Sequence, residues 1–243
     1  MINIKKTEIS ENKKFYTDKN IRNKIRKIIE EDFFNLCYLC ETHNNRGFQI
    51  EHFFPKGKNY FPEKINDWNN LFLSCPTCNQ VKPKSINTKK SEEILNPCLD
   101  DVENAIELRK NNVENGQEKI KIEITSSEKN NYKIENTIKL LERIYNGCNS
   151  ESLEYMKIRK EISEKIRIFE ELLKIYKGLK LKILKKPYEN KIIEFLQKSY
   201  NLEKNNIDFN KLGFISFKRQ IISFKRQIIK DNPDYKEFEK YFD

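Results

Sequence analysis

The chain has 243 residues, with 47 Lys or Arg against 37 Asp or Glu, a formal net charge of +10 and a pI near 9.1. Hydrophobic residues make up 37% and aromatic residues 12%, which excludes wholesale disorder, and no stretch approaches the roughly 20 apolar residues of a membrane span. The positive surplus suits a phosphate-backbone partner, because each Lys or Arg that neutralises a phosphate releases a counterion, yet charge alone favours a solubilising surface.

The opening MINIKKTEIS lacks the continuous apolar run of a secretory signal. Nine Lys or Arg against four Asp or Glu fall in the first thirty residues, half of the whole surplus, so residues 1–16 read as a loose, basic lead-in. From Asp18, a candidate N-cap, the apolar positions Ile21, Ile25, Ile28, Ile29 and Phe33 follow helical spacing and predict a helix running into Cys37.

Between Cys37 and about Lys90 the pattern changes to short elements, with prolines at 55, 62, 76 and 83. Ile50–Lys56 reads as a short strand ending in a turn, and Cys78-Asn79-Gln80-Val81-Lys82 opens a helix. Further on, Ile120, Ile122 and Ile124 alternate with polar residues, and the polar turn 126–131 leads to Tyr132 and Ile134, which predicts a hairpin near 119–135. Thr137–Tyr145 reads as a short helix. A long one follows, with Leu153, Met156, Ile162, Ile166, Phe169, Leu173 and Tyr176 on one stripe.

Near the C-terminus the heptapeptide Ile-Ser-Phe-Lys-Arg-Gln-Ile occurs twice in tandem, at 215–221 and 222–228. It keeps Phe214, Phe217, Ile221, Phe224 and Ile228 on a three-four spacing, a stripe that more often faces a core than a partner. The expected organisation is a basic arm and helix over 1–36, a small module over 37–90 and a mainly helical region over 91–243.

Four of the six cysteines form two pairs, Cys37-Tyr-Leu-Cys40 and Cys75-Pro-Thr-Cys78. Two intervening residues let both thiolates of a pair reach one tetrahedral ion, and four thiolates close its coordination sphere, so the expected ion is a structural Zn2+. Metal-bound thiolates fit a reducing cytoplasm better than three disulfides would. Cys98 and Cys148 read as ordinary thiols.

Between the pairs lies the chemistry. Glu51 and His52 end the predicted strand, Asp67-Trp68-Asn69-Asn70-Leu71 follows, and Asn79 with Lys82 comes directly after the second pair. A neutral imidazole can take a proton from water near pH 7, and hard oxygen donors can hold a divalent cation. His43, the other histidine, sits outside this pattern and reads as a loop residue, and Trp68 reads as a core anchor.

This order of motifs resembles the HNH endonucleases, in which two strands and a helix hold one divalent metal. The stretches Cys37–Glu41, Ile50–Lys56, Asp67–Leu71 and Cys75–Lys82, about a fifth of the chain, are similar in particular to the PtuB-type branch of Septu and certain retron anti-phage systems. The resemblance implies an α+β, mostly α fold: a ββα-metal module with a four-cysteine zinc knot, embedded in a helical protein carrying one β-hairpin.

It also implies His52 as general base, Glu51 and Asn79 as ligands of a catalytic Mg2+ or Mn2+, and Asn70, the asparagine that precedes Leu71, as the residue holding the loop that orients the histidine. Asn79 stands where many members have His, and Glu51 where Asp is frequent. Lys56 and Lys82 flank the site as candidate phosphate contacts. The implied activity is cleavage of DNA to 5′-phosphate and 3′-hydroxyl ends in the cytoplasm, beside a PtuA-type ATPase partner, since the sequence has no Walker A pattern of its own. Two other readings are a zinc-stabilised binding module without catalysis and a stand-alone restriction or homing nuclease.

Overall fold

The computed structural model describes residues 1–9, 18–42, 47–57, 59–114, 117–124, 131–147, 153–197 and 222–242. The chain divides into two compact units, Met1–Ser150 and Glu151–Asp243.

In the first unit, helix α1 spans Lys19–Asp32, and the Asp18 carboxylate caps it by accepting from the Asn20 and Ile21 amides at 2.8 and 3.2 Å. The helix stops short of Cys37, because Phe34 and Asn35 take left-handed backbone angles with φ of 55° and 54°. Its buried face, Ile25 and Ile29, packs towards a two-stranded antiparallel sheet of β1 (Gln49–His52) and β2 (Leu71–Ser74). The register pairs Gln49 with Ser74 and His52 with Leu71.

All four residues of β2 are buried. Phe72 lies at the centre of an aromatic cluster, with Phe33 edge-on at 5.6 Å and Phe53 at 5.0 Å between ring centroids. Each such buried ring contributes roughly 1.5–3 kcal/mol relative to exposure. Helix α2 (Pro76–Val81) follows β2 directly, with Cys75 as its N-cap and Pro76 at its first position, where a missing amide costs nothing.

The lead-in is not loose over residues 1–9. Met1, Ile2 and Ile4 are buried, and the Ile4 amide donates to the Pro97 carbonyl at 2.7 Å. Lys6 is drawn inward as well, donating to the carbonyls of Trp68 and Leu71 and lying 4.2 Å from the centre of the Trp68 ring. Burial lowers its pKa to about 8. A lysine of the expected loose, basic lead-in is therefore a strut of the module. Trp68 is a core anchor, 5% exposed, with its indole N–H on the Thr7 carbonyl.

The predicted hairpin exists with a different partner. After the short helix α3 (Val102–Ala105), strand β3 (Ile106–Glu114) pairs antiparallel with β4 (Gln117–Ile124), which contains the alternating isoleucines. Tyr132 and Ile134 belong instead to helix α4 (Tyr132–Asn146), capped by the Asn131 side chain. That cap, and the fit of Ile134, Leu140, Leu141 and Ile144 on one buried face, override the apparent continuation of the strand pattern. Most of the polar turn, 126–130 of 126–131, lies outside the described residues.

The second unit is helical, with α5 (Leu153–Gly178), α6 (Lys182–Leu196), α7 (Ile222–Asp231) and a 3-10 segment over Pro233–Tyr241. Its core gathers Phe169, Leu173, Tyr176, Ile192, Phe195, Leu196, Ile229, Tyr235 and Phe238. The long-helix stripe is accordingly buried from Ile162 to Tyr176, and Phe169, Leu173 and Tyr176 face this core. The Met156 side chain lies outside the described residues, as do His43, Cys148 and the first heptapeptide copy. In the second copy, Phe224 is buried and Ile228 half-buried, so the stripe faces the core. Among the described residues, no helix is long and apolar enough to cross a membrane.

Candidate active site

The four cysteines converge. Their sulfurs all lie within 4.8 Å of one another, Cys40 and Cys75 being 3.9 Å apart, and all four side chains are buried. A tetrahedral zinc with bonds near 2.3 Å requires sulfurs about 3.8 Å apart, so the donor set fits that ion. The chain folds this way locally because Glu41, with φ of 53°, turns the first pair back on itself while α2 opens from Cys75.

Burial opposes a Cys37 thiolate, but hydrogen bonds from Cys40, Cys75 and Cys78 outweigh it and hold that thiol well below its ordinary pKa. Donating to Cys37 pushes Cys40 and Cys78 up. Four ionised thiols this close require a cation, which removes the conflict. Tyr145 on α4 braces the first pair, its hydroxyl donating to the Leu39 carbonyl at 3.4 Å. Cys98 stands apart as a half-buried thiol raised to about 11 by burial, which makes it unreactive.

A cleft of about 460 Å³ opens between the end of β1 and α2, lined by Glu51, His52, Lys56, Asn79 and Lys82 among others. The fold thus gathers five residues that span 31 positions of sequence. His52 is half-buried, and its Nε2 lies 3.0 Å from the Ile65 carbonyl. A carbonyl only accepts, so Nε2 carries the proton and the nitrogen that remains basic is Nδ1. Burial lowers the His52 pKa; the Ile65 bond opposes this, while Lys56 and Lys82 add to it, so the ring is neutral at pH 7.

Asn70 is 1% exposed, and its side chain pairs with backbone at two places in the loop that follows the histidine. Its Oδ1 accepts from the Phe54 amide at 2.6 Å, and its Nδ2 donates to the carbonyls of Phe54 and Lys64 at 3.0 and 3.1 Å. One amide group therefore ties the exit of β1 to the 3-10 turn Pro62–Asn66 that presents Ile65. Asn69 is exposed. We expect Asn70→Ala to destabilise the fold by roughly 1–3 kcal/mol for each group left unpaired, and Asn69→Ala to stay within about 0.5 kcal/mol of the parent. Urea unfolding of the two variants measures this difference.

Glu51 is buried, and its carboxylate pairs with the Lys82 ammonium at 3.3 Å. Burial raises its pKa, while Lys82 and Tyr38 pull it down. The sequence places Lys82 on phosphate. In the fold its ammonium is turned inward, on Glu51 and on the carbonyls of His52 and Phe53 at 3.3 and 3.1 Å. Asn79 is half-buried on α2, with its Nδ2 donating to Gln49 Oε1 at 2.7 Å, which leaves its oxygen as the donor for an ion.

Glu51 and Asn79 supply one carboxylate and one amide oxygen. That sparse, hard set fits Mg2+ or Mn2+, which take their remaining ligands from water and substrate phosphate. Among the described residues, the cysteine cluster is the one group of three or more His, Cys, Asp and Glu side chains close enough to share an ion.

Three residues of the site escape a reading by motif. Lys84 is exposed and lines the cleft beside the exposed Lys56. Asn87 is 1% exposed with φ of 61°, and it donates to the Phe53 carbonyl at 2.7 Å while accepting from the Ile94 amide at 2.9 Å. An Asn a few residues past a motif lysine is a common surface residue, so only its positive φ and burial reveal it. The third is Tyr38, within the first cysteine pair.

Residues 30–85 match the family model described as HNH endonuclease. The chain is also 34% identical over 77 residues to the Septu protein PtuB of Bacillus thuringiensis, a match covering 30% of this chain and 28% of the relative's length. No solved structure matches significantly. The cysteine pairs and the strand-strand-helix order both fall within the stretch, residues 30–85, that is similar to the HNH endonucleases.

Proposed function

We propose that this cleft hydrolyses DNA phosphodiester bonds, with His52 as general base and a divalent cation, Mg2+ or Mn2+, at Glu51 and Asn79. The observation that carries the reading is the imidazole pinned through Nε2 to the Ile65 carbonyl, which aims a neutral ring's basic nitrogen without spending its lone pair. A bound cation supplies positive charge to the leaving oxygen.

His52 Nδ1 takes a proton from water as the water oxygen bonds to phosphorus. The P–O3′ bond breaks, and the 3′ oxygen leaves as a hydroxyl after taking a proton from solvent, so the other end keeps a 5′-phosphate. Asn70 holds the histidine's loop against the turn that presents Ile65. Lys56 and Lys84 at the cleft wall meet neighbouring phosphates. Lys82 balances the Glu51 charge from within.

The similarity to Septu protein PtuB supports a role in anti-phage defence inside the bacterial cytoplasm, beside an ATPase of the PtuA type. The motor would have to come from that partner, because the sequence has no phosphate-binding loop. One observation favours a second reading, a zinc-stabilised binding module: the Glu51 carboxylate already carries the Lys82 ammonium.

Supercoiled plasmid incubated with the zinc-loaded chain and Mg2+ or Mn2+, with and without the ATPase partner, separates the two. Nicking or linearisation that EDTA abolishes supports the nuclease. Binding without cleavage in every arm supports the module.

A further inference from the structure

Tyr38 sits between the first two zinc-site cysteines and is 2% exposed. Its amide donates to the Leu73 carbonyl at 3.0 Å, and its ring packs on Phe72 with centroids 5.1 Å apart. Phe72 is the residue directly opposite Glu51 in the β1–β2 register, so the phenol stands over the same face of the sheet as that carboxylate.

The hydroxyl makes no hydrogen bond of ordinary geometry to any described residue. It nevertheless lies close enough to Glu51 for each group to shift the other's pKa: burial and then Glu51 push the phenol up, and the phenol helps pull the carboxylate down. A buried hydroxyl without a partner is unfavourable, and phenylalanine would pack against Phe72 equally well without it. The oxygen therefore needs a task that the ring does not have.

We propose that Tyr38 is a positioning residue, its phenol reaching from the zinc knuckle to the buried Glu51 carboxylate and, opposite Lys82, setting that carboxylate's orientation for the cleft cation. The proposal rests on the reading of Glu51 as an ion ligand. The carboxylate already holds the Lys82 ammonium, at 3.3 Å. An O–H donated to a carboxylate is a strong hydrogen bond, and groups that orient a metal ligand typically contribute 10- to 100-fold in metal affinity. The same tyrosine is fixed on both sides by cysteines, so the structural ion and the catalytic carboxylate share one rigid link.

The test is a Mn2+ titration of the whole zinc-loaded chain, followed by electron paramagnetic resonance, with zinc content measured on the same samples. Tyr38→Phe is expected to keep its zinc and to bind Mn2+ at least tenfold more weakly, and Glu51→Gln to lose the Mn2+ site. In the Glu51→Gln background, Tyr38→Phe should then add nothing.

A zinc-loaded Tyr38→Phe whose Mn2+ affinity equals that of wild type, beside a Glu51→Gln that loses the site, overturns the tyrosine's role and leaves the nuclease reading intact. A Glu51→Gln that binds Mn2+ like wild type removes the ligand assignment and the proposal with it. If Tyr38→Phe sheds zinc, 3-fluorotyrosine at position 38 decides. It keeps the ring and the knuckle but is a stronger donor, so a changed Mn2+ affinity supports the link and an unchanged one overturns it.

Discussion

Cys75→Ser is expected to drop bound zinc from one ion per chain to none and to unfold the module of residues 30–85. Binding free energies of structural zinc run at about 10–16 kcal/mol, comparable with the whole stability of an ordinary domain, about 5–15 kcal/mol. Here an ion on the four cysteines would tie together segments that ladder hydrogen bonds alone barely connect: a turn at 37–40, a four-residue strand and the six-residue helix α2. Cys75 carries a double load, because its sulfur also accepts from the Cys78 amide at 3.3 Å and caps α2.

Trp68 is the chain's one tryptophan, and it is buried in this module. Its fluorescence should move to longer wavelength in Cys75→Ser, and equally in the parent chain after prolonged chelation. Unchanged Trp68 emission in a zinc-free sample would show that aromatic packing around Phe72 holds the module without the ion.

His52→Ala is expected to lower cleavage by about 10²–10⁴-fold, the usual contribution of a positioned general base, which corresponds to roughly 3–5 kcal/mol of barrier. Stability should change little by comparison, because the ring is only half-buried and Asn70 holds the surrounding backbone. Affinity for uncleaved plasmid should also persist, since burial lowers the His52 pKa and the proposed phosphate contacts are Lys56 and Lys84 on the cleft wall. Single-turnover cleavage and equilibrium binding of the same variant separate these effects. Equal losses in both would mean that His52 holds substrate rather than moving a proton.

The two asparagines at 69 and 70 illustrate what motif reading can and cannot resolve. Position relative to Leu71 selects Asn70, and the fold explains why that one is buried: it closes the loop 53–70 by hydrogen bonds to both Phe54 and Lys64. The hairpin shows the opposite case. Alternation at Ile120, Ile122 and Ile124 reveals a strand, yet it contains nothing about which neighbour pairs with it, and β3 has too many polar residues to show the same alternation. The cap at Asn131 decides that the chain turns into helix beyond.

By itself, the sequence determined the chemistry available in the module. Cys-x-x-Cys spacing fixes how far apart two thiolates can lie, and the residue types at Glu51, His52 and Asn79 supply a base and hard oxygen donors. These are short-range constraints, set by bond lengths and by the geometry of single elements. Tertiary structure alone decided the environment of each group. It turned Lys6 and Lys82 inward, packed Tyr38 on Phe72 opposite Glu51, tied the buried Asn87 to the Phe53 carbonyl and placed Lys84 on the cleft wall. Whether a lysine meets phosphate or a buried carbonyl depends on desolvation and on partners 30 to 65 residues away, as with Lys82 and Lys6. No local spacing encodes that choice, because it is settled by which apolar faces bury against each other.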